Sequence, residues 1–162
     1  MQNPILYADI PDPDVIRVKD RYYMITTTMH MFPGGQILRS YDLINWEYCS
    51  RVYDVLEDTP RQRLEEGNAY GAGMWAATLR YHKGTFYVIF VANDTRKTYL
   101  YRAEAPEGPW RRSEIEGFYH DCSLLFDDDD IDYLCSLGIF GEDFLAELKK
   151  FRFTGDIWAV PE

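Results

Sequence analysis

Short apolar runs, broken at intervals by Gly, Pro, Asp and Lys, set the pattern of this chain. Val15-Ile16-Arg17-Val18, Tyr22-Tyr23-Met24-Ile25-Thr26-Thr27-Thr28, Phe86-Tyr87-Val88-Ile89-Phe90-Val91 and Thr98-Tyr99-Leu100-Tyr101 are rich in β-branched and aromatic residues. Side chains of that kind suit a pleated, half-buried surface, so these runs predict strands. Lys19-Asp20 and Lys83-Gly84 lie between paired runs, where hairpin turns belong. The pattern changes after Ile139. Phe140, Phe144, Leu145, Leu148 and Phe151 fit one helical face better than strict alternation, although the same stretch also reads as the outer strands of a degraded repeat unit.

The hairpins repeat. Asp12-Pro13-Asp14-Val15-Ile16-Arg17-Val18-Lys19-Asp20-Arg21-Tyr22-Tyr23-Met24 lies over Ala76-Ala77-Thr78-Leu79-Arg80-Tyr81-His82-Lys83-Gly84-Thr85-Phe86-Tyr87-Val88, matching strand, turn and aromatic pair. A third copy starts at Asp121-Cys122-Ser123-Leu124-Leu125-Phe126, crosses the acidic turn Asp127-Asp128-Asp129-Asp130 and resumes at Tyr133-Leu134. The first two copies continue alike to Trp46 and Trp110, each after a turn at the outer end of its unit, which suits a structural role. Units of roughly 40–60 residues with about four antiparallel strands are the mark of propeller blades, because one blade cannot bury both of its faces alone. The expected fold is all-β, an incomplete propeller of about three blades over residues 1–138, followed by a diverged tail over 139–162.

Charge and composition narrow the function. Of 162 residues, 17 are Lys or Arg and 27 are Asp or Glu, for a net charge of −10, and 46% are hydrophobic. The dense basic pairs are limited to Arg111-Arg112 and Lys149-Lys150, so a nucleic-acid partner is not expected. No run approaches the roughly 18–20 apolar residues of a membrane span, and Met1-Gln2-Asn3-Pro4 has no basic region followed by an apolar core. Cys49, Cys122 and Cys135 are widely spaced and form no C-x-x-C pair, so they read as reduced, partly buried thiols. A soluble cytoplasmic chain fits these features, though removal of a leader would leave the same residues.

Candidate chemistry begins with Asp9-Ile10-Pro11-Asp12-Pro13-Asp14, three carboxylates on a proline-stiffened mount just before a strand. Asp121 holds the matching place in the third copy. In a propeller, matching ends of innermost strands converge on the axis, so Asp12 and Asp121 could face one cavity. Carboxylates gathered in this way suit proton transfer, while an Asp before a strand also serves as an ordinary turn cap. The run from Asp127 to Asp132 lacks the glycine and glutamate of a helix-loop-helix calcium loop and reads as a solvated turn, so neither a metal nor a cofactor is expected there.

Asn3-Pro4-Ile5-Leu6, Ile10-Pro11-Asp12-Pro13-Asp14-Val15-Ile16-Arg17-Val18, Tyr22-Tyr23-Met24, Gly73-Met74-Trp75-Ala76, Gly84-Thr85-Phe86-Tyr87 and His120-Asp121-Cys122-Ser123-Leu124 closely resemble glycoside hydrolase family 43. That family comprises five-bladed propeller enzymes, chiefly β-xylosidases, α-arabinofuranosidases and arabinanases. The resemblance covers residues 2 to 135. It implies an inverting hydrolase of xylose- or arabinose-containing plant oligosaccharides, as in xylan degradation, with Asp12 as the general base. Asp121 would tune and orient the general acid, a glutamate that lies in a later blade in this family and has no match before Glu162. The chain alone is therefore expected to be weakly active or inactive. The alternatives are a non-catalytic carbohydrate-binding remnant and a half-propeller that self-associates through its open blade faces. Ala77 and Cys122 stand where the family usually has Pro, and Asp132 where it has an apolar residue.

Trp75, one step before the position equivalent to Asp12, suits a sugar-binding wall by this resemblance, and a blade-core role competes. On the loop after the second strand, His30 and Phe32 are candidates for substrate contact, with loop packing as the other reading. His120 is placed to support Asp121 by hydrogen bonding.

Overall fold

The computed structural model describes residues 3–30, 32–126, 132–137, 146–154 and 157–159, with side chains described up to Phe126 except at residue 114. Every regular element is a strand among these residues. The first blade is a meander of β1 (Asp14–Val18), β2 (Arg21–Thr26), β3 (Gly34–Ser40) and β4 (Trp46–Tyr53). The second is β5 (Met74–His82), β6 (Thr85–Ala92), β7 (Lys97–Ala103) and β8 (Arg111–Ile115). In the third blade, β9 (Ser123–Phe126) and β10 (Asp132–Leu137) pair antiparallel, β11 (Ala146–Thr154) and β12 (Ile157–Ala159) extend the sheet, and β12 pairs parallel with β8, so the second and third units form one eight-stranded sheet.

Both expected hairpins form. Val18 pairs with Arg21 around Lys19-Asp20, and His82 with Thr85 around Lys83-Gly84. Lys19 and Lys83 share a left-handed backbone, with φ of +58° and +44°, as repeated turns of one geometry require. The third hairpin aligns Asp132 with Phe126, and its acidic turn, residues 127–130, lies outside the described residues.

The helical face read between Phe140 and Phe151 is corrected over Ala146–Thr154, which is a strand. It pairs along β10 from Asp132↔Phe151 to Leu137↔Ala146. Short apolar runs do not distinguish the two periods, and the open edge of β10 supplies backbone partners that an isolated helix would not need. The other reading, outer strands of the third blade, is what the backbone adopts. Residues 138–145, where the expected boundary of the tail falls, lie outside the described residues.

Alternation along the second blade explains how the three units stack. Val88, Phe90 and Ala92 of β6 and Tyr99 and Tyr101 of β7 face a core shared with Tyr23, Ile25, Ile37, Val52 and Tyr53 of the first blade. The alternate residues Ile89 and Leu100 face a second core with Ile115, Cys122 and Leu124 on the third-blade side. A sheet buried on both faces reads as a continuous apolar run, which is the character of β6. Phe90 is fully buried and stacks on Tyr53 and Tyr99, with ring centroids 5.5 and 5.3 Å away. Trp110 packs against the first core, and the Trp46 indole donates to Leu43 O, both consistent with structural roles.

Candidate active site

The three innermost strands are laced together at one level. Asp14 on β1 accepts hydrogen bonds at Oδ2 from the backbone N–H of Leu79, at 2.8 Å, and from Arg80 Nη1, at 2.7 Å, both on β5. Arg80 then reaches β9, donating from Nη2 to Ser123 Oγ at 2.8 Å and from Nε to Leu124 O at 3.2 Å. Thr78 donates to Cys122 O at 2.9 Å. Asp14, Thr78 and Ser123 are matching positions of the three repeats, so these contacts join innermost strands that share no backbone ladder with one another.

Two residues earlier in each repeat stand Asp12, Ala76 and Asp121. All three are non-glycine residues with left-handed backbones, at φ of +47°, +39° and +48°. Such a conformation is uncommon outside glycine, and its occurrence at one position in three units marks a shared kink that aims each side chain away from its strand. In β5 the kink coincides with a register shift between Trp75 and Thr78. Asp12 and Asp121 thus stand at the same ends of β1 and β9, on either side of β5.

Their contacts lead to the Trp75-Ala76 step between them. Thr27 Oγ1 donates to Asp12 Oδ2 at 2.9 Å and accepts from the N–H of Ala76 at 3.0 Å. Thr26 Oγ1 and the N–H of Thr27 both bind Pro11 O, at 2.7 and 3.1 Å, which fixes the strut carrying Asp12. On the other side, His120 Nδ1 is 3.2 Å from Asp121 Oδ1, and the His120 ring lies 5.9 Å from that of Trp75. Both carboxylates are exposed to solvent, as groups meeting a ligand must be.

Trp75 is half-buried, and its indole N–H donates to Gly71 O at 3.0 Å. His30 is exposed and stacks on Tyr70 at 4.3 Å with an interplanar angle of 21°. Phe32 is half-buried, set edge-on to Tyr53 at 6.1 Å, and packs against the first core. The structure therefore brings Trp75, His120 and Asp121 into contact, ties Asp12 to the neighbouring Ala76 backbone through Thr27, links His30 to Trp75 through residues 70–71, and rests Phe32 on the blade core.

The sequence reading missed Thr27, Asp14 and Arg80 as site-building residues. In the sequence Thr27 reads as one more β-branched strand residue, and Asp14 as one of three neighbouring carboxylates. A lone arginine within the Thr78-Leu79-Arg80 stretch is the available sign of a charged partner on a neighbouring strand.

The sequence profile described as Glycosyl hydrolases family 43 matches residues 1–149. A beta-xylosidase of Formosa agariphila is 47% identical over 85 residues, covering 52% of this chain and 14% of that protein. A non-reducing end alpha-L-arabinofuranosidase of Bacteroides ovatus is 37% identical over 131 residues, covering 78% and 24%. Among solved structures, a bifunctional GH43-CE protein of Bacteroides eggerthii superposes with a TM-score of 0.83 at 43% identity, covering 94% of this chain and 20% of its own. A xylan beta-1,4-xylosidase of Bacillus halodurans superposes with a TM-score of 0.80 at 31% identity, covering 99% and 33%. The chain thus spans a third or less of the length of each of these relatives. On this profile match, and on blades that superpose on those structures, the chain belongs to glycosyl hydrolases family 43 and carries about three blades of its five-bladed propeller fold.

Proposed function

We propose that these blades form the base-bearing side of an inverting glycoside hydrolase acting on xylose- or arabinose-containing plant oligosaccharides. The observation that carries this reading is the placement of Asp12 and Asp121 at equivalent kinked positions on either side of Trp75-Ala76. Thr27 holds Oδ2 of Asp12, which leaves Oδ1 to take the proton of the attacking water. The sugar lies against the Trp75 face, with His30 and Phe32 on the neighbouring loop. Asp121, steadied by His120, orients and tunes the acid that protonates the leaving oxygen. Inversion separates acid and base by roughly 6.5–9.5 Å to admit that water. The acid is a glutamate supplied by a later blade, so these residues alone bind sugar and turn it over weakly or not at all.

A second reading, self-association, is favoured by the exposed ends of an apolar row on the first blade. Val15, Met24, Leu38 and Tyr48 are register partners across β1 to β4 and form an apolar row facing away from the shared core. Its ends, Val15 and Tyr48, are exposed by 41% and 57%, whereas Met24 and Leu38 between them are buried.

Hydrolysis of nitrophenyl β-xyloside and nitrophenyl α-arabinofuranoside by wild type and Asp12→Ala tests the assignment. Turnover that disappears in Asp12→Ala supports it, and turnover that persists refutes Asp12 as the base. Saturable tryptophan quenching by xylobiose is expected of both the hydrolase and the binding-remnant readings, and its absence counts against both. Sedimentation of a species larger than 19.1 kDa favours self-association.

A further inference from the structure

Tyr70 is 73% exposed, yet the backbone beneath it is tied at every step. Its N–H bonds Asn68 Oδ1 at 3.0 Å, and the N–H of Ala72 bonds Ala69 O at 2.9 Å. Gly71 takes a φ of +73°, which a side chain there would strain. Asn68 O accepts from Arg61 Nε, Gly71 O from the Trp75 indole, and Ala72 O from the N–H of Asp94, while the N–H of Gly73 reaches Met29 O. The buried Asp94 carboxylate holds the preceding stretch through Arg61, Gln62 and Thr59. A loop made this rigid has no need of an exposed aromatic for its own stability.

We infer that Tyr70, stacked on His30, is a shelf for a second sugar residue, next to the one seated at Trp75. This rests on the carbohydrate-binding reading above and extends it to ligand length. Stacked on His30 on one side, the exposed Tyr70 ring turns its other face to solvent, an apolar surface suited to the C–H side of a pyranose or furanose ring. Its orientation is already fixed, so little conformational freedom is lost on binding.

Isothermal titration with xylose and xylotriose tests it in wild type, Tyr70→Ala and Tyr70→Phe. Wild type is expected to prefer xylotriose by about 3- to 10-fold, the size of one aromatic contact. In Tyr70→Ala that ratio falls to near one, and in Tyr70→Phe it is retained. A ratio unchanged in Tyr70→Ala overturns the shelf, as does an equal loss for both sugars, which would make the ring pair a loop staple. Xylose binding with no gain for xylotriose in wild type removes the shelf alone. Failure to bind either sugar removes the carbohydrate reading with it.

Discussion

Arg80 Nη1 lies 2.7 Å from Asp14 Oδ2, and the same guanidinium reaches Ser123 Oγ and Leu124 O, so one side chain on the middle strand joins the innermost strands of three blades. Side chains of this pair are about one-third exposed, at 33% and 29%. The contact is therefore worth less than a fully buried ion pair and more than a surface one. Arg80→Met should cost about 1–3 kcal/mol. By calorimetry the melting temperature should fall by about 3–10 °C. Amide exchange should quicken in β9 before it does in β2, and uniform acceleration would contradict the lacing role.

Thr27 connects Asp12 to the backbone of Ala76, and Thr27→Val keeps its shape while removing the hydroxyl. The N–H of Ala76 and the Asp12 carboxylate each lose a partner, at a cost of about 1–3 kcal/mol. Urea unfolding should register that loss, and Thr27→Ser should recover most of it. An unchanged midpoint in the valine variant would show that water replaces the hydroxyl without penalty.

Glu57 anchors the connection after β4 to β7 and β8. It lies 2.6 Å from Arg112 and 3.2 Å from Lys97, and accepts from Tyr99 Oη at 3.1 Å. Partial burial pushes its carboxyl up, but hydrogen bonds from Lys97 and Tyr99 and the nearby Arg112 and Lys97 charges outweigh that effect and hold it below its ordinary value. A carboxyl held low in the folded chain contributes stability above its unfolded value, about 4.3, and loses it as pH falls through the folded value. Wild type should therefore lose stability relative to Glu57→Gln as pH drops below about 4.3. Parallel stability curves for the two proteins in acid titrations would count against this linkage.

Burial pushes the Cys122 thiol up to about 12, and burial followed by the neighbouring Glu107 carboxylate pushes Cys49 up to about 11. At pH 8 these thiols carry little thiolate, the reactive form. Iodoacetamide should modify both sites at least about 100-fold more slowly in the folded chain than in the unfolded one, given an ordinary value near 8.5. Peptide mass mapping resolves the two positions, and rapid labelling of Cys122 would show that the second core opens readily.

The residue order by itself determined the strands, the hairpins at Lys19-Asp20 and Lys83-Gly84, the threefold repeat and the family, because period-two alternation and turn chemistry are local properties. It also singled out Asp12, Trp75, His120 and Asp121. The strand at Ala146–Thr154 was not settled locally, since its apolar spacing satisfies two periods and the β10 edge selects one. Only the tertiary structure made Thr27 the link from Asp12 to Ala76, Arg80 the tie across three blades, and Tyr70 the partner of His30. Those pairings join residues far apart in the chain, and their geometry follows from blade stacking, which no local pattern encodes.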